Sequence, residues 1–325
     1  MQSTIDGKVE GNLTVKILST GEVLWDVFGE TEYLGGAPLN FSAVSQKLGN
    51  SVALLTAVGA DERGDGVLRS MDELGLTTEF VQRVTQRPTG NAMVSTGSDG
   101  NTFFTIDRPA AFDCLAVDAP LIARVARFAP DWLYFGTLAP ANPHVETALL
   151  RLVESLPRTR RFYDVNLRAG HWTLALVEKL SAVADVLKLN LSEAELLYEL
   201  TLGKSGFNMK SFCRHWASTY EIATICVTLG SAGCAIFAGD RLRSFDGFTV
   251  KVVDTVGAGD AFAAAFLHGL SAGWPLEKNA AFANALGALV ASRPGATPDW
   301  NLEECLDLIR SRSSSFETWS LSESH

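Results

Sequence analysis

Asp254, Gly257, Gly259 and Asp260 fall within seven residues, at the head of the stretch DTVGAGDAFAAAFLHGL (254–270), and a run of small and aromatic residues follows at once. An acid placed where a loop becomes a helix has two readings. Asp is a good N-cap, because its side chain accepts from an orphan backbone N–H, and the glycines would then be turn residues. Alternatively, a Gly-rich turn at a helix start offers several N–H groups and partial positive charge to an anion. A carboxylate beside such an anion site can take a proton from a hydroxyl that attacks a phosphate.

Other polar residues stand at predicted strand ends. GGAPLN (35–40) is a small-residue loop in which Gly35 and Gly36 permit close backbone approach and Asn40 both donates and accepts. An ordinary strand–helix turn is the other reading. Asp26 of the WD pair is a bidentate acceptor suited to adjacent sugar hydroxyls, or an exposed loop acid. In YDVNLR (163–168), strand alternation puts Asp164 and Asn166 on one side, and Arg168 can clamp a phosphate or a hydroxyl. LKLNLSEAE (187–195) ends a strand with Asn190 and Glu193. Ser192 and Glu195 there read as a capping box. Glu193 reads either as a first-turn acid favoured by the helix dipole or as a carboxylate helping to hold hydrated Mg²⁺. VTLGSAG (227–233) faces a nucleotide or makes a hairpin turn. LGKS (202–205) imitates a P-loop ending, but Tyr198 stands where the motif needs glycine. GAGDAF has Phe262 where a dinucleotide fingerprint needs glycine, and it lies far from the first strand.

The elements that must position these residues alternate. Residues 14–28 read as a first strand running into a turn, 39–48 as a helix, 51–59 as a buried strand and 65–75 as a helix. EFVQRV, NAMVST and NTFFTI are short runs separated by turn residues, including SDGN at 98–101, and predict antiparallel hairpins. Alternation resumes with strands in DWLYFG, RFYDVN, VLKLN, IATICVTLG and CAIFAG. Helices are predicted over about 145–156, in WTLALVEKLSAVA and SEAELLYEL, and over 260–272, 276–292 and about 302–312. Such alternation predicts a mostly parallel sheet with helices on both faces and ligands beyond the strand carboxyl ends. The hairpins would form a small separate sheet, a lid.

Composition bounds the function. The 325 residues are 47% hydrophobic and 20% charged, with a net charge of −10, which disfavours nucleic-acid and anionic-membrane partners. Five cysteines without a CxxC pair and five histidines without ligand spacing give neither a disulfide framework nor a metal cage. The N-terminal residues lack the basic and apolar segments of a signal peptide, and the cytoplasm is the expected compartment.

Taken in order, GGAPLN, NLSE, VTLGSAG and DTVGAGD resemble the ribokinase-like sugar kinases of the PfkB type, over roughly residues 15–300. GEVLWD and DVNLR make the chain most similar to the bacterial fructokinase branch, with 2-keto-3-deoxygluconate kinases close by. The resemblance implies a three-layer α/β/α fold, with a kinase domain over 14–312 and tails at 1–13 and 313–325. It places the β-lid at about 22–36 and 88–110. It implies ATP- and Mg²⁺-dependent phosphorylation of a small sugar, fructose first, with a 2-keto-3-deoxygluconate or nucleoside kinase and a non-catalytic regulator as alternatives. Carried over, Asp260 is the base and the N–H groups of Gly257, Ala258 and Gly259 form the anion hole. Asp26, Gly35, Gly36, Asn40 and Arg168 hold the sugar. Asn190 and Glu193 match an NxxE motif linked to Mg²⁺ and phosphate, and Asn190, Thr228, Gly230, Gly233 and Asn284 line the ATP site. Asp254, Val256, Val290, Arg293 and Gly295 occupy the region where many members bind K⁺. The family also favours homodimers formed through the lid.

Overall fold

Apolar strands and one-sided helices alternate along the chain, and in the computed structural model they stack as a sheet covered on both faces. The structure describes residues 14–96, 102–203 and 206–311. The strands are β1 Lys16–Thr20, β2 Leu24–Phe28, β3 Thr31–Gly35, β4 Ser51–Gly59, β5 Val81–Val84, β6 Gly90–Thr96, β7 Thr102–Ile106, β8 Trp132–Gly136, β9 Arg160–Asp164, β10 Val186–Asn190, β11 Thr224–Thr228, β12 Cys234–Ala238 and β13 Arg241–Phe245. The helices are α1 Ala37–Lys47, α2 Glu62–Glu73, α3 Ala119–Phe128, α4 Pro143–Ser155, α5 Leu174–Ser181, α6 Leu191–Leu202, α7 Met209–Tyr220, α8 Ala258–Ser271, α9 Leu276–Ala291 and α10 Leu302–Arg310.

The main sheet runs β13-β12-β11-β10-β9-β8-β1-β4-β5. Every pair from β11 to β5 is parallel, and β12 and β13 add an antiparallel edge. Central parallel strands are covered on both faces and must be apolar on both. In β8 and β10 all but the last residue is buried or nearly so. One face carries α3 to α7, through Leu121, Leu149, Leu176, Leu197 and Trp216 among others. The other carries α1, α2 and α8 to α10, through Phe41, Met71, Phe266, Phe282 and Ile309. Strand order reverses between β1 and β8, and open α/β sheets bind ligands beyond the strand carboxyl ends at such a switch point.

The first predicted strand, 14–28, is in fact two. β1 stays in the main sheet; the chain turns at Gly21, and β2 enters a second sheet of order β3-β2-β6-β7. Within it β2–β3 and β6–β7 are antiparallel, while β2–β6 is parallel. The EFVQRV run is not a hairpin member, because β5 pairs parallel with β4 at the edge of the main sheet. α3, α7 and β13 add to the elements that the sequence pattern predicts. The SDGN turn, both tails and the end of LGKS lie outside the described residues. Among the described residues, no helix is long and apolar enough to cross a membrane.

Candidate active site

The first turn of α8 rules out the capping reading of Asp260. The N-cap is Gly257, in the left-handed region at φ 78°, and no side chain caps the helix. Only glycine fits there, since a Cβ would stand 2.1 Å from the Ala296 carbonyl oxygen. Asp260 therefore does not cap. Its Oδ2 accepts from Asn40 Nδ2 at 2.8 Å, and the residue is 8% exposed. Burial raises its pKa to about 6, with the Asp164 carboxylate adding to the rise and Lys188, Asn40 and Arg168 opposing it. Among the described residues the N–H groups of Gly257 and Gly259 have no acceptor, whereas that of Ala258 reaches Thr255 O at 3.3 Å.

The neighbouring residues come from the start of α1 and from the second sheet. Gly36 is the N-cap of α1 at φ 111°, and a Cβ there would press on Glu22 O at 2.6 Å. This close approach lets α1 begin at once and turns Asn40 toward α8. Asn40 Oδ1 is buried with no partner among the described residues. Asp26 on β2 lies beside Gly35, with Oδ2 2.5 Å from where a Gly35 Cβ would be. Burial raises the Asp26 pKa to about 6, against the pull of Arg168. Arg168 donates to Asn166 Oδ1 at 2.7 Å. Asn166 takes φ 40°, so the strand geometry on which the alternation rests ends at Asp164.

Behind Asp260 lies a buried polar network. Lys188 Nζ donates to Asp164 Oδ2 at 2.9 Å and Oδ1 at 3.0 Å, and Tyr134 donates its hydroxyl to Asp164 Oδ2 at 3.0 Å. Glu22, in the loop after β1, is 4% exposed, and its Oε2 has no partner among the described residues. Burial raises the Glu22 pKa to about 7, with Arg168 and Arg108 lowering and Asp260 raising it further. Arg108 pairs with Asp113 and donates to Leu138 O at 2.8 Å.

At the end of β10 the capping box is Asn190 with Glu193, not Ser192 with Glu195. Glu193 also accepts from Leu167 N through Oε1 at 2.7 Å, so both its oxygens are held by peptide N–H groups. Burial raises its pKa, against those bonds and Lys188. Thr228 Oγ1 reaches Leu189 O at 3.4 Å, and Gly230 and Gly233 flank the short turn joining β11 to β12. Asn284 points its amide at Asp246 O, 3.2 Å away, and so fastens the chain after β13. Asp254 accepts from Val256 N and Gly295 N, both at 3.0 Å, and ties the loop before α8 to the loop after α9. The Val290 carbonyl accepts from Arg293 N, while the Arg293 guanidinium turns to Asp299 and Glu304.

The sequence profile described as pfkB family carbohydrate kinase matches residues 7–303. The chain belongs to that family. It is 31% identical over 294 residues to Fructokinase-1 of Zea mays, spanning 85% of this chain and 88% of that one. Fructokinase from Xylella fastidiosa, solved with bound ATP, superposes with TM-score 0.81 at 23% identity over 92% of this chain and 99% of that one. A 2-dehydro-3-deoxygluconokinase from Thermotoga maritima does so with TM-score 0.75 at 21% identity, over 91% and 99%. The fold is therefore ribokinase-like, and the protein is a sugar kinase.

For a pfkB family kinase the metal fit is specific. Among the described residues no three His, Cys, Asp or Glu side chains gather to hold an ion. With both Glu193 oxygens on peptide N–H groups, direct ligation by Glu193 does not fit. Sequence reasoning left Glu22, Lys188, Tyr134 and Arg108 unassigned. A signal existed for Lys188, a charged residue inside the apolar strand VLKLN.

Proposed function

We propose that this kinase transfers the terminal phosphoryl group of ATP, carried with Mg²⁺, to a primary hydroxyl of a small neutral sugar, fructose before others. The observation that carries this reading is Asp260, buried, held by Asn40 and set in the first turn of α8 beside unpaired N–H groups. In the ionised form Asp260 takes the hydroxyl proton as the sugar oxygen attacks phosphorus. The Gly257 and Gly259 N–H groups receive the negative oxygens, and α8 adds its dipole. Asp26 accepts from sugar hydroxyls, Arg168 sets the electrostatics of the same pocket, and the second sheet acts as the lid. Asn190, Thr228, Gly230, Gly233 and Asn284 flank the nucleotide.

Activation by K⁺ belongs to the same reading, with Asp254 joining the two segments that would offer carbonyl oxygens. The Zea mays relative's name supports fructose, while Arg168 and the likeness to the Thermotoga maritima enzyme keep a sugar acid as the second reading. ADP release measured with fructose, ribose, adenosine and 2-keto-3-deoxygluconate tests it. Fructose is expected to give the highest kcat/KM. No ADP release above the sugar-free rate with any of them would overturn the site assignment, and repeating the assay with K⁺ replaced by tetramethylammonium tests the cation.

A further inference from the structure

We propose that Lys188 is a catalytic residue whose ammonium contacts the phosphoryl group in flight between nucleotide and sugar. The inference rests on the phosphoryl-transfer reading above. Lys188 sits on β10 between Leu187 and Leu189, which pack on one face of the sheet, while Lys188 turns to the face that carries α8. Its Nζ lies 3.3 Å from where a Cβ on Gly259 would stand, against the glycine whose N–H has no acceptor. It is 7% exposed. Two of its three donors are used on Asp164, and among the described residues no other acceptor takes the third.

The fold alone does not call for this pair. An ion pair buried between parallel strands is often matched or bettered by apolar residues of similar volume. Here it is backed by Tyr134 and stands beside Asp260 on α8 and Glu193 on α6. Burial alone would lower the Lys188 pKa, but Asp164 first, then Asp260 and Glu193, hold it above the ordinary lysine value. The ammonium therefore stays charged and fixed.

During transfer the bond from the bridging oxygen of ATP to the terminal phosphorus breaks, a bond from the sugar oxygen forms, and the hydroxyl proton passes to Asp260. ADP leaves with the bridging oxygen. Lys188 keeps all its protons and donates a hydrogen bond to an equatorial oxygen, where charge is spread in the transition state.

Lys188→Met, Lys188→Met/Asp164→Asn and Asp260→Asn test this beside the wild type, with turnover, sugar KM, melting temperature and ADP affinity measured for each. Lys188→Met is expected to lower kcat about 10²–10³-fold, as loss of an oxyanion donor does, with sugar KM and ADP affinity within a few-fold. The double variant leaves no buried charge unpaired and is expected to stay as slow. Affinity for ADP with aluminium fluoride and sugar, a mimic of the phosphoryl in flight, should weaken in both. Recovery of the double variant to within tenfold of wild type would make Lys188 a mere balance for Asp164 and overturn the inference. So would a Lys188→Met enzyme within tenfold of wild type. If Lys188→Met does not fold, the double variant decides by the same limits. An active Asp260→Asn enzyme would sink the underlying reading instead, whereas an inactive one beside an active Lys188→Met sinks only this inference.

Discussion

Asn40 donates from Nδ2 to Asp260 Oδ2 at 2.8 Å, across 220 residues of sequence. One hydrogen bond thus joins the GGAPLN loop to the GAGD loop, and it favours the ionised carboxylate. The groups facing Asp260 pull in both directions: burial and Asp164 raise its pKa, while Lys188, Asn40 and Arg168 lower it, leaving it at about 6. A base must be ionised to accept a proton, so kcat/KM is expected to fall as pH drops through about 6. Asn40→Ala removes a lowering contact and should move that acidic limb upward. An unmoved limb in the pH–rate profile would remove Asn40 from the control of Asp260.

Glu22 governs stability rather than turnover in our second expectation. Its folded pKa, about 7, lies above its ordinary 4.5, so its contribution to stability is fully present below about 4.5 and is lost as pH rises through 7. Asp26 and Asp260, each raised from 3.8 to about 6, act with the same sign at slightly lower pH. Holding Glu22 ionised at pH 8 costs on the order of 3 kcal/mol. The melting temperature should therefore fall between pH 5 and pH 8 in the ligand-free protein. Glu22→Gln should flatten that slope, and an identical slope in both proteins would refute the assignment.

Glu193 has become more structural than its place in the sequence implied. A first-turn acid alone contributes roughly 0.3–1 kcal/mol. Here the carboxylate also joins the capping box and takes the Leu167 N–H, so it anchors the loop that carries Arg168. Glu193→Ala should cost about 1–3 kcal/mol, with two peptide donors left unpaired. Glu193→Gln, which keeps one acceptor, should cost less. Urea unfolding of both variants checks this, and equal midpoints to wild type would return Glu193 to a purely nucleotide-side role.

The parallel sheet and the GAGD helix start were legible because long apolar periods and a glycine-rich junction are local signals. What escaped was weaker or non-local. α7 carries a short stripe of Phe212, Cys213 and Trp216 among polar residues, and β13 alternates arginines along an edge. The four-residue β5 gives too little pattern to tell an edge strand from a hairpin. The partnership of Asp164, Lys188 and Asp260 depends on β9 lying beside β10 and on α8 packing over them, and strand order is written in no single segment. Glu22 was visible as the acid within GEVLWD, but its burial follows only from the turn that sends β2 into the second sheet.

The sugar is the sharpest expectation of the site. The charge of Arg168 acts on both Asp26 and Glu22, and in the proposed reading Asp26 lies on the sugar side of Asp260. With Asp26 ionised above about pH 6 and answering part of its charge, Arg168 has less to offer a substrate carboxylate, while Asp26 can still accept from adjacent hydroxyls. A neutral polyhydroxylated sugar should therefore outrun 2-keto-3-deoxygluconate in kcat/KM. Asp26→Ala should reduce fructose kcat/KM by about 10²-fold or more, since sites built for hydroxyls depend strongly on each pairing. Its affinity for ADP should stay within a few-fold. The same variant gives the reverse test. If the sugar acid is preferred by wild type, or if Asp26→Ala improves it without harming fructose, Arg168 is the selecting group and the fructose reading fails while the kinase stands.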